Sequence, residues 1–527
     1  MSWNSGFVNA LNSAVVSPTY RLRLSSIFQN AYIDIFSNGR KIAISREGPS
    51  IQGQRVTPGS WNITFGSWSV PVVGDLSEIF PAIRKGVFAE LFCTLKTEER
   101  ITCGQLRTIR KSYNKYIFEF VDLVTALGSN YAITPNSGTL NDPDPFTLCF
   151  SAGIETKITP AHPWSTSNGT IYLNDISNCI KEQGQPGVVR CTPSGGNEFY
   201  LLWDSKTVTS GVSGYLTLSH TYTSNFYPSI YSASAMAVGQ KVYTAQYFTG
   251  WPGDIFGKLL SSTTGTGGSV WNKYPPGMNS NIGLDLYDSA SVQVWKDLLK
   301  YKVGATEVDY KIGYVVNSPL TNGWRDLIQT FANAGHWPVW RQNGLSYRGC
   351  MHPQLIPPSM RIYDKDIFQL ISHELFSPDQ HNIYVRTQID YANVSGTIHN
   401  ATSSITANTK APSLPLKSKI KRDNSLLYFY DPHYSVSKTQ RSQLATADLK
   451  RMDIWDQVNW EKIVLKVRLG YASLVCGDTI ILKSSVIKSI NTQVWFKDKE
   501  INALVIGVDY NISAGSTVLS LAIPFYD

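Results

Sequence analysis

Between Tyr20 and Leu127 short apolar runs alternate with turn residues: RLRLSSI, AYIDIF, KIAISRE, WNITFGSW and KYIFEFVDLV. In the last of these Tyr116, Phe118 and Phe120 fall on one face and Ile117, Glu119 and Val121 on the other, the period of two that a strand requires. A β domain is expected over residues 1–127, with one helical candidate at Asp75 to Lys85 that Pro81 would shorten.

From Gly128 to Gln240 the separators PNSGTLNDPDP, WSTSNGT, TPSGGNE and TVTSGVSG divide short strands such as IYL and EFYLLW, as in a second β module built of hairpins. Helical periodicity appears in residues 241–391. Pro252 suits a first helical turn, with Ile255, Phe256, Leu259 and Leu260 on one face. Val292, Trp295, Leu298 and Leu299 repeat the pattern, and Trp324, Leu327, Ile328 and Phe331 form a stripe that Gly335 ends with a left-handed cap. The dipeptide Asn343-Gly344 then predicts a tight hairpin.

Residues 392–458 show no sustained period and are dominated by Ser, Thr, Asn and Lys, which predicts a long loop or arm. In residues 459–527 the period of two returns, with Ile463, Leu465, Val467 and Leu469 alternating with Lys462, Val464, Lys466 and Arg468. GDTIILK, INALVIGVDY and GSTVLSLAI follow, each about a strand long, so the chain is expected to finish as an antiparallel sheet. The fold class is therefore mainly β with α/β insertions, in several domains.

Composition agrees with strands and turns. Charged residues make up 16% of the 527 positions and aromatics 12%, with 39 Gly and 26 Pro. A hydrophobic share of 42% provides enough apolar surface to offset the entropy of ordering. No stretch approaches the roughly 20 consecutive apolar residues of a membrane helix. The start, Met1 to Ala14, has no basic head followed by an apolar run, so a soluble protein made in a cytoplasm is expected.

The 47 basic against 39 acidic residues leave a net charge of +8, spread thinly along the chain rather than gathered as phosphate binding demands. One cluster stands out, Lys417, Lys419, Lys421 and Arg422. It reads as a solvated tether, or as an interaction arm touching nucleic acid or membrane. Seven cysteines lie far apart without the paired spacing of zinc sites. Buried free thiols are expected, with a Cys179 to Cys191 bridge as the alternative.

The chain lacks G-x-S-x-G, H-E-x-x-H and G-x-x-x-x-G-K-[ST], and the run Gly265 to Gly268 follows a predicted helix instead of opening one. Asp285, Asp288, Glu307 and Asp309 are the carboxylates to consider for glycoside chemistry, although acidic residues on β loops are more often turn formers. His373, His381 and His433 have no second ligand at helical spacing, which favours ordinary surface or core histidines. No catalytic residue, metal ligand or cofactor site is assigned, and the chain is expected not to be an enzyme.

The order of these segments carries a resemblance. Asp254 to Gly265 followed by Trp324 to Tyr347 resembles the middle of phage tail-hub proteins, where a Leu-Leu-Ser-Ser-Thr helix exit precedes a helix and an Asn-Gly hairpin. The run DKDIFQLISHELFSPDQHNIYVRTQIDY, with Asn382 to Tyr391 as a strand, is similar too. The stretch from Arg468 through Gly477-Asp478 to Leu521 resembles the closing sheet of that family.

What the resemblance implies is a baseplate-hub subunit of a phage tail tip, with two tube-like β-barrel domains from the N-terminal and C-terminal regions. Residues 128–240 would be an inserted decoration and residues 241–391 an α/β hub domain. It further implies a homotrimeric ring in the virion that joins the tail tube to a central fibre or spike. Its partners would be a distal tail protein and the tape-measure protein, and DNA would pass through the channel without specific binding. A carbohydrate-binding adhesin and a tail-associated cell-wall hydrolase remain as other readings.

Overall fold

The computed structural model describes residues 3 to 525 apart from several stretches. The longer of these are 123–152, 220–234, 256–288, 317–327, 389–398, 402–416 and 424–454, with shorter ones interspersed. The protein is mainly β and multidomain, as the pattern of short strands predicts.

The N-terminal unit opens with helix α1 (Ser5–Leu11), which the periodicity did not flag. Asn4 caps it by accepting a hydrogen bond from the Gly6 N–H, and Phe7, Ala10 and Leu11 turn inward. Ten strands follow: β1 (Thr19–Ser25), β2 (Tyr32–Phe36), β3 (Ile42–Ile44), β4 (Ser50–Gln52), β5 (Arg55–Thr57), β6 (Asn62–Thr64), β7 (Ser67–Gly74), β8 (Phe88–Thr94), β9 (Glu98–Ser112) and β10 (Lys115–Asp122). The order β2-β1-β8-β9-β10-β7 continues from β7 to β3 and β4, and β2 lies alongside β3, so the sheet rolls round one core. Phe118 and Phe120 face that core, as the alternation in β10 requires, and Phe120 stacks on Trp68 of β7 at 3.8 Å. Burying each such ring stabilises the unit by about 1.5–3 kcal/mol. Among the described residues of the stretch Asp75 to Lys85, where a helix was expected, the structure has a 3₁₀ turn, Phe80–Ala82, that contains Pro81, which supplies no N–H.

The inserted unit comprises β11 (Glu155–Lys157), β12 (Thr170–Leu173), β13 (Gly187–Thr192), β14 (Phe199–Ser210), β15 (Ser213–Leu218) and β16 (Lys241–Gly250). Its sheet order is β11-β16-β13-β14-β15-β12, and Ile158 just after β11 bridges Leu173 of β12, so the two ends meet. Trp164, Phe199 and Trp203 fill the centre with Cys179 and Cys191, both free thiols. Gly187 is required where it stands, since a Cβ there would lie 2.0 Å from the Trp203 ring. The stretch TVTSGVSG is not the separator that its composition predicts: β14 runs through Ser210 and β15 starts at Ser213, which leaves only Gly211 and Val212 to turn.

In the α/β region Pro252 to Ile255 begin a helix as expected, with Ile255 buried. Helix α2 (Ser289–Leu299) buries Trp295 and Leu299. Strands β17 (Tyr301–Val303) and β18 (Thr306–Val308) form a small ribbon, and β19 (Ile312–Val316) pairs with β16. Ile328 and Phe331 are helical and buried, and Gly335 has the left-handed φ of 81° foreseen for its cap. Then β20 (His336–Arg341) and β21 (Gly344–Gly349) form the expected hairpin. Gly344, half of the predicted turn dipeptide, pairs with Arg341 and so belongs to the strand.

The C-terminal unit contains β22 (Met360–Tyr363), β23 (Ile367–Phe376), β27 (Trp460–Arg468), β28 (Thr479–Lys483), β29 (Ile501–Asn511) and β30 (Ser516–Pro524). The order is β22-β28-β29-β30-β27-β23, and the edge strands β22 and β23 are joined by a single 3₁₀ turn, Asp364–Asp366. A sheet whose two edges are three residues apart must curl, and its inner face carries Ile362, Ile463, Leu465, Leu482, Val505 and Leu521 around a second core. A domain limit at 459 would cut through this unit, because β22 and β23 come from before it. Between β23 and β27 in sequence, β24 (Gln380–Gln388) pairs with β25 (His399–Ala401) and, in parallel, with β26 (Lys417–Asp423). Residues 392–458 are therefore not all loop: the backbone pairing of β25 and β26 depends on β24, which lies outside that stretch.

The N-terminal and C-terminal units share one continuous sheet. The pairs Gln52↔Asp509 and Ile51↔Tyr510 join β4 to β29, and the Gly53 N–H donates to the Val508 carbonyl at 2.8 Å. Among the described residues the path β2-β1-β8-β9-β10-β7-β4-β29-β30-β27-β23 has two distinct ends.

Candidate assembly surface

The β20–β21 hairpin lies across the seam between the two units. Trp337 of β20 stacks on Trp61 at 5.7 Å, and Trp455 meets Trp61 edge-on at 5.9 Å. All three rings are buried. The Gln54 side-chain amide donates to the Pro338 carbonyl at 3.0 Å. Arg348 of β21 donates to Asp478 at 2.8 Å, and both side chains are nearly inaccessible. Gly477 allows this contact: its φ is +95°, and a Cβ would sit 2.7 Å from the Arg348 side chain. His336 lies between two phenols, with Tyr310 at 2.7 Å on Nε2 and Tyr347 on Nδ1. A charge-assisted pair taken from water in this way holds its elements in one register, since removing either partner strands the other charge.

At one end of the continuous sheet, β23 pairs with β27 on one side. Phe368 is 56% exposed and Ile371 48%, and Leu370, Leu375 and Phe376 are exposed as well. Five large apolar side chains on a ten-residue end strand form the kind of edge that soluble proteins normally blunt with charge. Below the strand, Glu461 of β27 is fully buried and accepts hydrogen bonds from Ser489 Oγ at 2.6 Å and the Asn491 N–H at 2.8 Å. Its second oxygen lies 2.6 Å from His373 Nε2. Burial alone would raise the Glu461 pKa, but the hydrogen bonds from His373, Ser489 and the backbone of Asn491 and Ile490 outweigh it and hold the carboxyl below its ordinary value of 4.5.

The residues singled out in the sequence for possible chemistry are only partly described. Asp285, Asp288 and His433 lie outside the described residues. Glu307 and Asp309 are exposed, Glu307 opposite Lys302 on the β17–β18 ribbon. Ser489 touches a carboxylate, but at 1% exposure it is closed to any substrate. His381 is on β24, and Lys417, Lys419, Lys421 and Arg422 are on β26, with Lys417 opposite Gln380 and Arg422 opposite Val385. The tether is a paired strand at that point. Among the described residues no group of three or more His, Cys, Asp or Glu is placed to hold a metal ion, and no helix is long and apolar enough to cross a membrane.

The exposed edge and the hairpin keystone escaped sequence reading. FQLISHELF looks like any half-buried strand, and only the three-dimensional path shows that it ends a sheet.

No protein-family model and no curated protein matches the chain. Among solved structures it is similar to the prophage tail protein gp18 from Listeria monocytogenes, with a TM-score of 0.37 and 6% identity over 95% of this chain and 94% of the other. The 43 kDa tail protein of prophage MuSo2 from Shewanella oneidensis gives a TM-score of 0.36 and 8% identity, covering 95% and 98%. The Francisella PdpA-VgrG complex gives 0.31 and 9%, covering 97% of this chain and 53% of the other. The first two of these structural neighbours are prophage tail proteins. With scores and identities this low, the functional reading rests on the geometry of this chain itself.

Proposed function

We propose that the protein is a structural subunit of a phage tail tip, a hub whose copies form a trimeric ring joining the tail tube to the central fibre or spike and gating DNA ejection. The observation that carries this reading is the sheet itself. Two rolled β units, one from each terminal region, are fused edge to edge through β4 and β29, and one end of the path is left as the apolar strand β23. Three such subunits would set six rolled units around a channel, with β23 of one copy against the next.

A distal tail protein would meet one face of the ring and the fibre or spike the other, with the tape-measure protein and then DNA passing through. The Lys417 to Arg422 strand would serve as an interaction arm. The positive excess would lie on outer or intersubunit surfaces, because a basic channel wall would retard DNA.

Light scattering of the purified chain with negative-stain imaging tests this reading. A three-fold ring with a central hole is expected; a monomer at concentrations found in assembling virions counts against it.

A second role has one specific support. On the outside of the inserted unit, exposed His162 stacks on half-buried Tyr172 at 4.1 Å, and Tyr172 lies 5.1 Å from half-buried Tyr215, a ring row of the kind that sugars pack against. Glycan-array binding by the whole protein, lost in Tyr172→Ala, would add an adhesin function to the hub.

A further inference from the structure

The loop between β28 and β29 is a small ordered hairpin of its own. Lys488 and Trp495 form an antiparallel bridge across it, the Ser489 N–H donates to the Val494 carbonyl at 2.9 Å, and Gln493 turns the tip with a φ of +58°. Ile487 and Phe496 point down into the C-terminal core, and Ser489 and Asn491 are fastened from beneath to the buried Glu461 carboxylate. What the hairpin holds outward is apolar: Val486 is 68% exposed, and Ile490, Val494 and Trp495 are exposed as well. Single exposed apolar residues are ordinary, but four of them between Val486 and Trp495, on a loop anchored from below, form a patch of the kind that marks an interaction site.

Lysines border this patch. Lys488 Nζ lies 5.8 Å from the centre of the Trp495 ring, and Lys365, Lys483 and Lys497 line one open cleft at the base of the loop. Lys483 is paired with Glu500 at 2.8 Å, and the Asp364 carboxylate in the same cleft accepts hydrogen bonds from Ser484 and Ser485. Among the described residues Lys365, Lys488 and Lys497 are left without a carboxylate partner. We propose that the hairpin docks on an anionic lipid surface, with its four apolar side chains entering the acyl boundary and its lysines meeting headgroup phosphates. A protein partner fits less well, because the cores of protein interfaces are depleted in lysine and enriched in arginine. Lysine instead lays its apolar stem along a greasy surface and keeps its ammonium in water, and an indole suits the same boundary with one apolar and one wet end. Charge complementarity with phosphate headgroups then selects anionic over neutral lipid.

Co-sedimentation of the full-length protein with vesicles of phosphatidylcholine alone, and of phosphatidylcholine mixed with phosphatidylglycerol, tests this. The wild type is expected to sediment with the mixed vesicles and hardly with the neutral ones. Val486→Asp should weaken that binding by about tenfold, since it removes an inserting side chain and adds a charge that the headgroups repel. Lys488→Gln with Lys497→Gln should weaken it by about fivefold for each lysine and erase the preference for the anionic vesicle. All three positions are exposed, so thermal melts should match the wild type. A wild type that ignores the mixed vesicles, equal binding to both kinds, or variants that bind undiminished would overturn the proposal. If Val486→Asp instead changes the mass of a lipid-free assembly in light scattering while no vesicle is bound, the patch belongs to a second copy of the chain and the proposal falls. The vesicle readout does not depend on whether the protein forms a ring, so its failure is distinct from failure of the hub reading.

Discussion

At the scale of single residues, the instructive group is Glu461. It sits on the inward face of β27 among apolar neighbours, and a carboxylate persists there only because four hydrogen bonds favour its charged form. The folded-state pKa lies below 4.5, so the group contributes stability that is present above that pH and is lost as the pH falls through the folded value. Glu461→Gln is expected to cost about 1–3 kcal/mol at neutral pH through weaker hydrogen bonds. It should also flatten the acid side of the stability profile below pH 4.5. Urea midpoints measured from pH 7 to pH 3 check both, and an unchanged acid limb would show that Glu461 does not titrate in this way. Alternation places Glu461 on the face of Ile463, Leu465 and Val467, but it does not say that a carboxylate at the start of EKIVLKVRLGY finds His373, Ser489 and Asn491 as partners there.

At the scale of elements, alternation was a sound guide wherever one face of a strand meets a core. Strands β10, β27 and β30 bury the positions their sequences point inward, and helix α2 buries Trp295 and Leu299 of the stripe that its spacing predicts. It fails at β23, where FQLISHELF has the composition of a covered strand but lies at the end of the sheet. If β23 is the contact between copies, Phe368→Lys with Ile371→Lys should abolish the ring. Both side chains are exposed, so stability should change by only about 0.5 kcal/mol for each. Sizing by light scattering beside a thermal melt separates the outcomes. A folded double mutant that still forms rings would remove β23 from the interface.

Over the whole molecule, the C-terminal unit is assembled from pieces distant in sequence. Strands β22 and β23 flank β28 and β27, and the buried Arg348–Asp478 pair fastens the β20–β21 hairpin to the same unit. A fragment beginning at Asn459 is thus expected not to fold, since it would expose the side of the core that Ile362 covers and would leave two strands unpaired. Collapsed amide dispersion in its NMR spectrum is the expected result. A well-dispersed spectrum would mean that β27 to β30 suffice.

What the sequence determined by itself is local. Period-two alternation, the stripe of α2, Pro252 at a helix start, Gly335 as a cap and the hairpin near Asn343 are set by covalent geometry and by burial within a window of a few residues. These also sufficed for the class, mainly β in several domains. The tertiary structure decided which strands are neighbours: β4 against β29, β22 beside β28, β26 beside β24. Such pairings are made by backbone groups that every residue carries, so the side-chain pattern does not encode them locally. They follow only from how the apolar faces of distant segments close over shared cores, and that closure leaves β23 as an exposed edge.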